Sequence, residues 1–374
     1  MAHEDDVKID GGHGGNIYAA SRELGIPIER VADFSASINP LGPSPLALRA
    51  IRDGRPSLGH YPDPDCRALR SALAERWKLS PDRFVIGNGS AELIHVLPRA
   101  LKIQRVLVLG PTFSEYARAV ELAGGGVEVL MARRSEGYRP PLDEALRRVC
   151  EGDRRVDAVV LCHPNSPTGQ ACEVTEALRL VQAAAKRPAW VIVDEAFVDY
   201  CPDRSLLRHV PDHPLVVVLR SFTKFHALPG LRVGYAVGSK RVAEAVRRHL
   251  PPWTVNALAQ AAAVASLADH RHERRSLAFM ERERSRLIKR LGSLPGVTVY
   301  PSVANFLLVE LPPGRRASAI VAALRRRGLL IRDCSTVRGL TERTVRVAVR
   351  TVEDNARLVS LLSSLLKGRV YGTA

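Results

Sequence analysis

Aromatic residues make up only 5% of this 374-residue chain, and lysine only eight of its 55 basic residues. The six cysteines (66, 150, 162, 172, 201 and 334) form no C-x-x-C pair and do not group with closely spaced histidines. That excludes the usual zinc frameworks and a disulfide scaffold, and reduced thiols are expected. No apolar run approaches the roughly 18 residues needed to span a bilayer. The start of the chain, Met1-Ala-His-Glu-Asp-Asp6, is acidic and lacks the apolar stretch of a secretory leader. No membrane association is expected, and the cytoplasm is the expected compartment. Internal repeats and low-complexity tails are also missing.

What is present is an ordinary globular composition, with 46% hydrophobic and 25% charged residues. The formal charge of +16 would by itself suggest nucleic acid or an anionic surface as partner. Its distribution argues otherwise. The other 47 basic residues are arginines scattered among acidic residues. The densest groups (Arg247-Arg248, Arg271 to Arg290, Arg325 to Arg327) lie on patterns that read as solvated helix faces. No nucleic-acid partner is expected.

Short apolar runs at Arg105–Leu109, Val127–Leu130, Ala158–Cys162, Trp190–Val193, Leu215–Leu219 and Val233–Val237 predict strands. Before and between them lie stretches with helical spacing, such as Ser90–Leu101 and Thr175–Lys186. Strands apolar on both faces that alternate with helices predict an α/β fold, with a mostly parallel sheet covered by helices. After Pro251-Pro252 comes a long helical region, Val255 to about Leu291, then sparser strands, which predicts a smaller α+β C-terminal domain. The expected division is an extended arm over residues 1–45, a large domain over 46–252 and a small domain over 253–374.

Four segments carry chemistry. Lys224 follows an apolar strand in Leu219-Arg-Ser-Phe-Thr-Lys-Phe-His, so its amine is expected at the carboxyl edge of the sheet, where open α/β sheets bind ligands. A lysine in a loop is ordinarily a solvated charge, but Ser221, Thr223 and Arg232 surround this one with anion-binding groups. Cationic neighbours lower an amine's pKa and make it nucleophilic. A second strand ends in Asp194-Glu-Ala-Phe197, where the aspartate suits a metal ligand, a helix cap or a partner for a cationic heterocycle. The loop His163-Pro-Asn-Ser-Pro-Thr-Gly169 presents the Asn165 amide. Gly87-Asn-Gly-Ser-Ala-Glu92 opens a helix with small residues, whose backbone N–H groups can hold a phosphate.

Taken in order, these segments resemble the pyridoxal-phosphate enzymes of the aspartate aminotransferase superfamily, over essentially the whole chain. One departure is His163 in place of the first Asn of N-P-x-x-P-T-G. The resemblance implies that Lys224 carries the coenzyme and moves protons, while Asp194 pairs with its ring nitrogen. It implies that Asn165 bonds the ring 3-oxygen and that Phe113 stacks on the ring. Gly89, Ser90, Ala91, Ser221 and Arg232 would hold the phosphate. Tyr61, in His-Tyr-Pro-Asp-Pro-Asp, would reach a neighbouring subunit's phosphate, which implies a homodimer with shared sites. A further departure is Phe197, where these enzymes commonly have a tyrosine whose hydroxyl also meets the 3-oxygen.

Two branches of the superfamily are most similar, the histidinol-phosphate aminotransferases and the threonine-phosphate decarboxylases of cobalamin biosynthesis. Gly-Gly-His13-Gly-Gly-Asn16 and Asp33-Phe-Ser-Ala-Ser-Ile-Asn39-Pro resemble the decarboxylase arm. That resemblance implies decarboxylation of O-phospho-L-threonine to 1-amino-2-propanol O-phosphate. His13, Asn39, Arg332 and Arg346 would bind substrate, Arg346 at the carboxylate and Arg332 with His13 at the phosphate. Spacing alone cannot separate lyase from transferase, and a non-catalytic coenzyme-binding regulator is the remaining alternative.

Overall fold

The computed structural model describes residues 14–151 and 155–368. Helix α1 (Ile17–Leu24) and strand β1 (Ala32–Asp33) form the arm, followed by α2 (Pro45–Asp53) and α3 (Arg67–Trp77). Seven further strands are β2 (Phe84–Gly87), β3 (Arg105–Gly110), β4 (Gly126–Met131), β5 (Ala158–Cys162), β6 (Trp190–Asp194), β7 (Val216–Ser221) and β8 (Gly234–Val237). They pair in the order β2-β8-β7-β6-β5-β3-β4. Every pair is parallel except those of β8, which runs against both β2 and β7. Strand β2 therefore runs in the sense of β7, and the loops after β2, β3, β5, β6 and β7 open at one edge. This is the aspartate aminotransferase type of fold.

Helices cover both faces of this sheet, as the doubly apolar strands require. On one face, α3, α6 (Leu142–Glu151), α7 (Val174–Lys186) and α9 (Ala257–Ala268) pack on Leu161, Val193 and Val218. On the other, α4 (Ser90–Ala100), α5 (Glu115–Leu122) and α8 (Lys240–Arg247) pack on Val160, Ile192 and Leu219. The alternation of side chains along β6 and β7 directs Asp194 and Ser221 to this second face and Glu195 and Arg220 to the first.

A separate core surrounds an antiparallel sheet ordered β12-β13-β10-β9, built from β9 (Thr298–Val299), β10 (Phe306–Glu310), β12 (Arg332–Asp333) and β13 (Thr344–Ala348). Helices α10 (His270–Gly292), α11 (Ala317–Arg325) and α12 (Val352–Lys367) cover it. The arm joins here: β1 pairs in parallel with β11 (Leu329–Leu330), and Phe34 is fully buried in this core.

The structure differs from the sequence pattern at four places. The arm is not wholly extended, because Asn16 caps α1 by accepting the Ala19 N–H at 3.0 Å. The long helical region is two helices parted at Asp269, whose carboxylate caps α10 through the His272 N–H at 3.0 Å. Strand β2 was hidden in the glycine-rich phosphate-loop segment. The change of pattern after Pro251-Pro252 also precedes, by one helix, the point where the chain leaves the large core, since Ala259 and Ala263 of α9 pack there.

Candidate active site

Each chemical motif begins where a strand ends. At the end of β2, Gly89 has φ +82° and leads into α4, whose first residues are Ser90 and Ala91. First-turn N–H groups have no partner within a helix, so this end is electropositive and open to an anion. The backbone around it is crowded in a way that only glycine allows. A Cβ on Gly89 would lie 2.6 Å from Nη2 of Arg232, and one on Gly234 would lie 2.5 Å from the Ser90 nitrogen. Arg232 itself has φ +57° and donates through Nη1 to Pro229 O at 3.3 Å and Thr223 Oγ1 at 3.5 Å. An arginine held in the left-handed region costs on the order of 1 kcal/mol. Ser221, at the end of β7, pairs in register with Gly234 and completes the cradle.

Lys224 lies in the turn beyond. Its backbone oxygen accepts the Asn39 N–H at 3.0 Å, and its Nζ lies 5.5 Å from the centre of the Phe197 ring. Burial, then the charges of Arg346 and Arg232, push its ammonium down to about 8. Asp194, only 4% exposed, accepts the Ala196 N–H at Oδ1 (2.9 Å) and the Tyr116 hydroxyl at Oδ2 (2.7 Å). Burial raises its pKa, against those donors and Lys224. The next helical element is a short 3₁₀ turn at Val198–Tyr200, so Asp194 caps no α-helix. No group of His, Cys, Asp and Glu suited to a metal ion occurs among the described residues.

Phe113 packs edge-on to Tyr116, 5.7 Å between ring centres. The Asn165 amide donates to Pro111 O and Thr168 Oγ1, both at 2.8 Å, and its oxygen accepts the Thr112 hydroxyl at 2.7 Å. Contact with a ring oxygen therefore requires one of those amide hydrogens to be released. His163 takes no part. It is fully buried, bonded to Arg204 O at 3.0 Å, and kept neutral because burial lowers its pKa to about 4. The substitution at this motif position is absorbed on the far side of the loop.

On the small sheet, Arg332 and Arg346 stand directly opposite each other on β12 and β13. Arg346 donates through Nη1 to Ser166 Oγ and through Nη2 to Ser35 O, both at 2.8 Å, while its buried Nε has no partner. Like charges directly across a strand pair are destabilising, so this pair suits an anion between them. Tyr61 is 78% exposed and stacked on Trp253 at 4.5 Å.

His13 lies outside the described residues. Asn39 is buried, and its amide donates to Phe225 O and Ser276 Oγ at 2.9 Å. It supports the lysine loop, where its own N–H meets the Lys224 oxygen. The sequence reading missed Ser35, Ser166 and Tyr116. The first two follow motif positions, but nothing local in the sequence marks Tyr116 as a partner of Asp194.

The Gly89 to Ala91 cradle, the depressed Lys224 amine and the buried Asp194 carboxylate suit the phosphate, carbonyl and ring nitrogen of pyridoxal phosphate. Comparison with known proteins agrees. The family model for aminotransferase class I and II matches residues 29–362. Threonine-phosphate decarboxylase of Salmonella typhimurium is 37% identical over 95% of this chain and 97% of that protein. Histidinol-phosphate aminotransferase of Roseiflexus castenholzii is 36% identical over 92% of each chain. The solved histidinol-phosphate aminotransferase of Clostridium acetobutylicum superposes with a TM-score of 0.84 at 27% identity, over 90% of this chain and 99% of that one. The chain belongs to the aminotransferase class I and II family, and it is a pyridoxal-phosphate-dependent enzyme.

Proposed function

We propose that the enzyme decarboxylates O-phospho-L-threonine, releasing carbon dioxide and leaving 1-amino-2-propanol O-phosphate, a precursor in cobalamin assembly. The observation that carries this reading is the cross-strand pair of Arg332 and Arg346, with the arm's Ser35 bonded to the latter. A phospho-amino acid brings a carboxylate and a phosphate of about −1.5 to −2 charge. Arginine forks meet both groups bidentately. Arg346, braced by Ser35 and Ser166, would hold the carboxylate, and Arg332, with His13, the phosphate. The arm carrying these contacts is the segment that resembles the decarboxylases, and Phe197 is compatible with them.

Pyridoxal phosphate, when bound, supplies an electron sink. Gly89, Ser90, Ala91, Ser221 and Arg232 would hold its phosphate, Phe113 its ring face, Asn165 its 3-oxygen and Asp194 its ring nitrogen. Lys224, poised to exchange a proton near neutral pH, would deliver the proton that replaces the lost carboxylate on the substrate carbon. The exposed Tyr61 fits a contact with a second subunit, so a homodimer belongs to this reading, as does a cytoplasmic location. Among the described residues no helix is long and apolar enough to cross a membrane.

Relatives of both activities are similarly close, so the second reading is a histidinol-phosphate aminotransferase. Carbon dioxide released from phospho-threonine without any oxo-acid is the expected result. Amino transfer from histidinol phosphate to an oxo-acid, with no carbon dioxide, would favour the second reading. Arg332→Ala should reduce the preference for phospho-threonine over threonine by about tenfold or more, whereas Arg346→Ala should weaken both substrates alike. A preference unchanged in Arg332→Ala would move the phosphate site elsewhere.

A further inference from the structure

Asp194 is enclosed by groups that offer its charge little support. Its register partners are Cys162 on β5 and Leu219 on β7. Leu219 is apolar, and burial pushes the Cys162 thiol up to about 12, so it stays neutral beside Pro164 O at 3.4 Å. Lys224, beyond β7, is the cation that acts on Asp194. Direct hydrogen bonds come from the Ala196 N–H and from Tyr116. Tyr116 is 3% exposed on the first turn of α5. Burial drives its phenol far above the ordinary value, so it keeps its proton and donates it to the carboxylate.

We infer that Tyr116 is a positioning residue for Asp194. Its hydroxyl donates to Oδ2, fixes the orientation of the carboxylate and keeps it ionised towards the coenzyme ring nitrogen. The same turn of chain presents Phe113, whose ring meets that of Tyr116 edge-on. One segment after β3 thus sets both the face on which a planar ring rests and the charge at its end. The inference rests on the reading of Asp194 as the partner of the ring nitrogen.

The test is equilibrium binding of pyridoxal 5′-phosphate to the coenzyme-free protein, followed by absorbance and tryptophan fluorescence from mildly acidic to mildly alkaline pH. A donor to the charged form lowers a carboxyl pKa, so its removal raises it. Tyr116→Phe should bind the coenzyme about tenfold more weakly at neutral pH. Its binding should also fail at a higher pH on acidification than that of the wild type. In an Asp194→Asn background, Tyr116→Phe should change affinity by less than about twofold, because there is no charge left to support. A purely structural tyrosine would cost the same in both backgrounds. Wild-type affinity and pH profile in Tyr116→Phe, or an equal loss in the Asp194→Asn background, would overturn the inference and leave the role of Asp194 standing. Wild-type binding by Asp194→Asn itself would overturn the reading beneath it.

Discussion

Burial and the guanidinium groups of Arg346 and Arg232 bring the Lys224 ammonium down to about 8 from its ordinary 10.5, an environment that favours the free amine and opposes the folded state. Above 10.5 the amine is neutral folded or unfolded and costs nothing. As pH falls below that value, the unfolded chain takes up a proton that the folded chain does not. Folding therefore loses stability until about pH 8, and the penalty is constant below. With about 1.4 kcal/mol per pH unit, the cost at neutral pH is on the order of 3 kcal/mol. Lys224→Met, without coenzyme, should therefore be more stable than the wild type to urea at neutral pH. The gap should close as pH rises towards 10.5. Equal stability at neutral pH, or a gap independent of pH, would mean that the amine is already solvated.

The strands that hold the motifs were legible in sequence because each is a continuous apolar run ending in a distinctive residue, as Trp190–Asp194 and Ala158–Cys162 are. Strand β2 was not, because four residues running into Gly-Asn-Gly-Ser carry too little apolar pattern of their own. The break between α9 and α10 was also invisible. It falls at an aspartate cap in a charged helical pattern, with neither glycine nor proline to mark it. Strand order depends on contacts distant in sequence, as does the bond from Tyr116 to Asp194, which are 78 residues apart. Gly234, at the start of β8, joins these scales. A Cβ there would meet the Ser90 nitrogen at 2.5 Å and Arg220 O at 2.9 Å, both backbone atoms that cannot swing aside. Gly234→Ala should cost about 1–3 kcal/mol of stability and weaken coenzyme binding together. Gly126→Ala, on β4 with nothing within 4 Å, is the matched control and should change neither. Unaltered coenzyme affinity in Gly234→Ala would show that the cradle tolerates the added methyl.

The two cores meet around the site, and polar contacts cross between them. Arg346 of the small sheet reaches Ser166 of the large core, and Gln170 donates to both Gly137 O (3.0 Å) and Pro301 O (3.1 Å). The most enclosed of these ties is Glu310 on β10. Its Oε2 accepts Arg134 Nε at 2.8 Å, from the loop after β4, and the Tyr300 hydroxyl at 2.7 Å. Its Oε1 accepts Arg343 Nη2 at 2.5 Å and the Thr341 hydroxyl at 3.2 Å. Removing one member of a buried, hydrogen-bonded pair strands its partner. Glu310→Gln should therefore destabilise the protein by about 3 kcal/mol. Arg134→Met should cost less than about 1 kcal/mol, because that side chain is 54% exposed and its pairing is screened by water. Burial alone would raise the Glu310 pKa, but Tyr300, Arg343 and Arg134 together hold it below 4.5. The stability it contributes is present above 4.5 and is lost as pH falls through the lower folded value. The difference between wild type and Glu310→Gln, read from denaturant midpoints, should thus be widest near neutral pH and narrow on acidification. A difference that stayed constant into acid would assign the loss to side-chain shape, and the carboxylate would then not be the charge that ties the two cores.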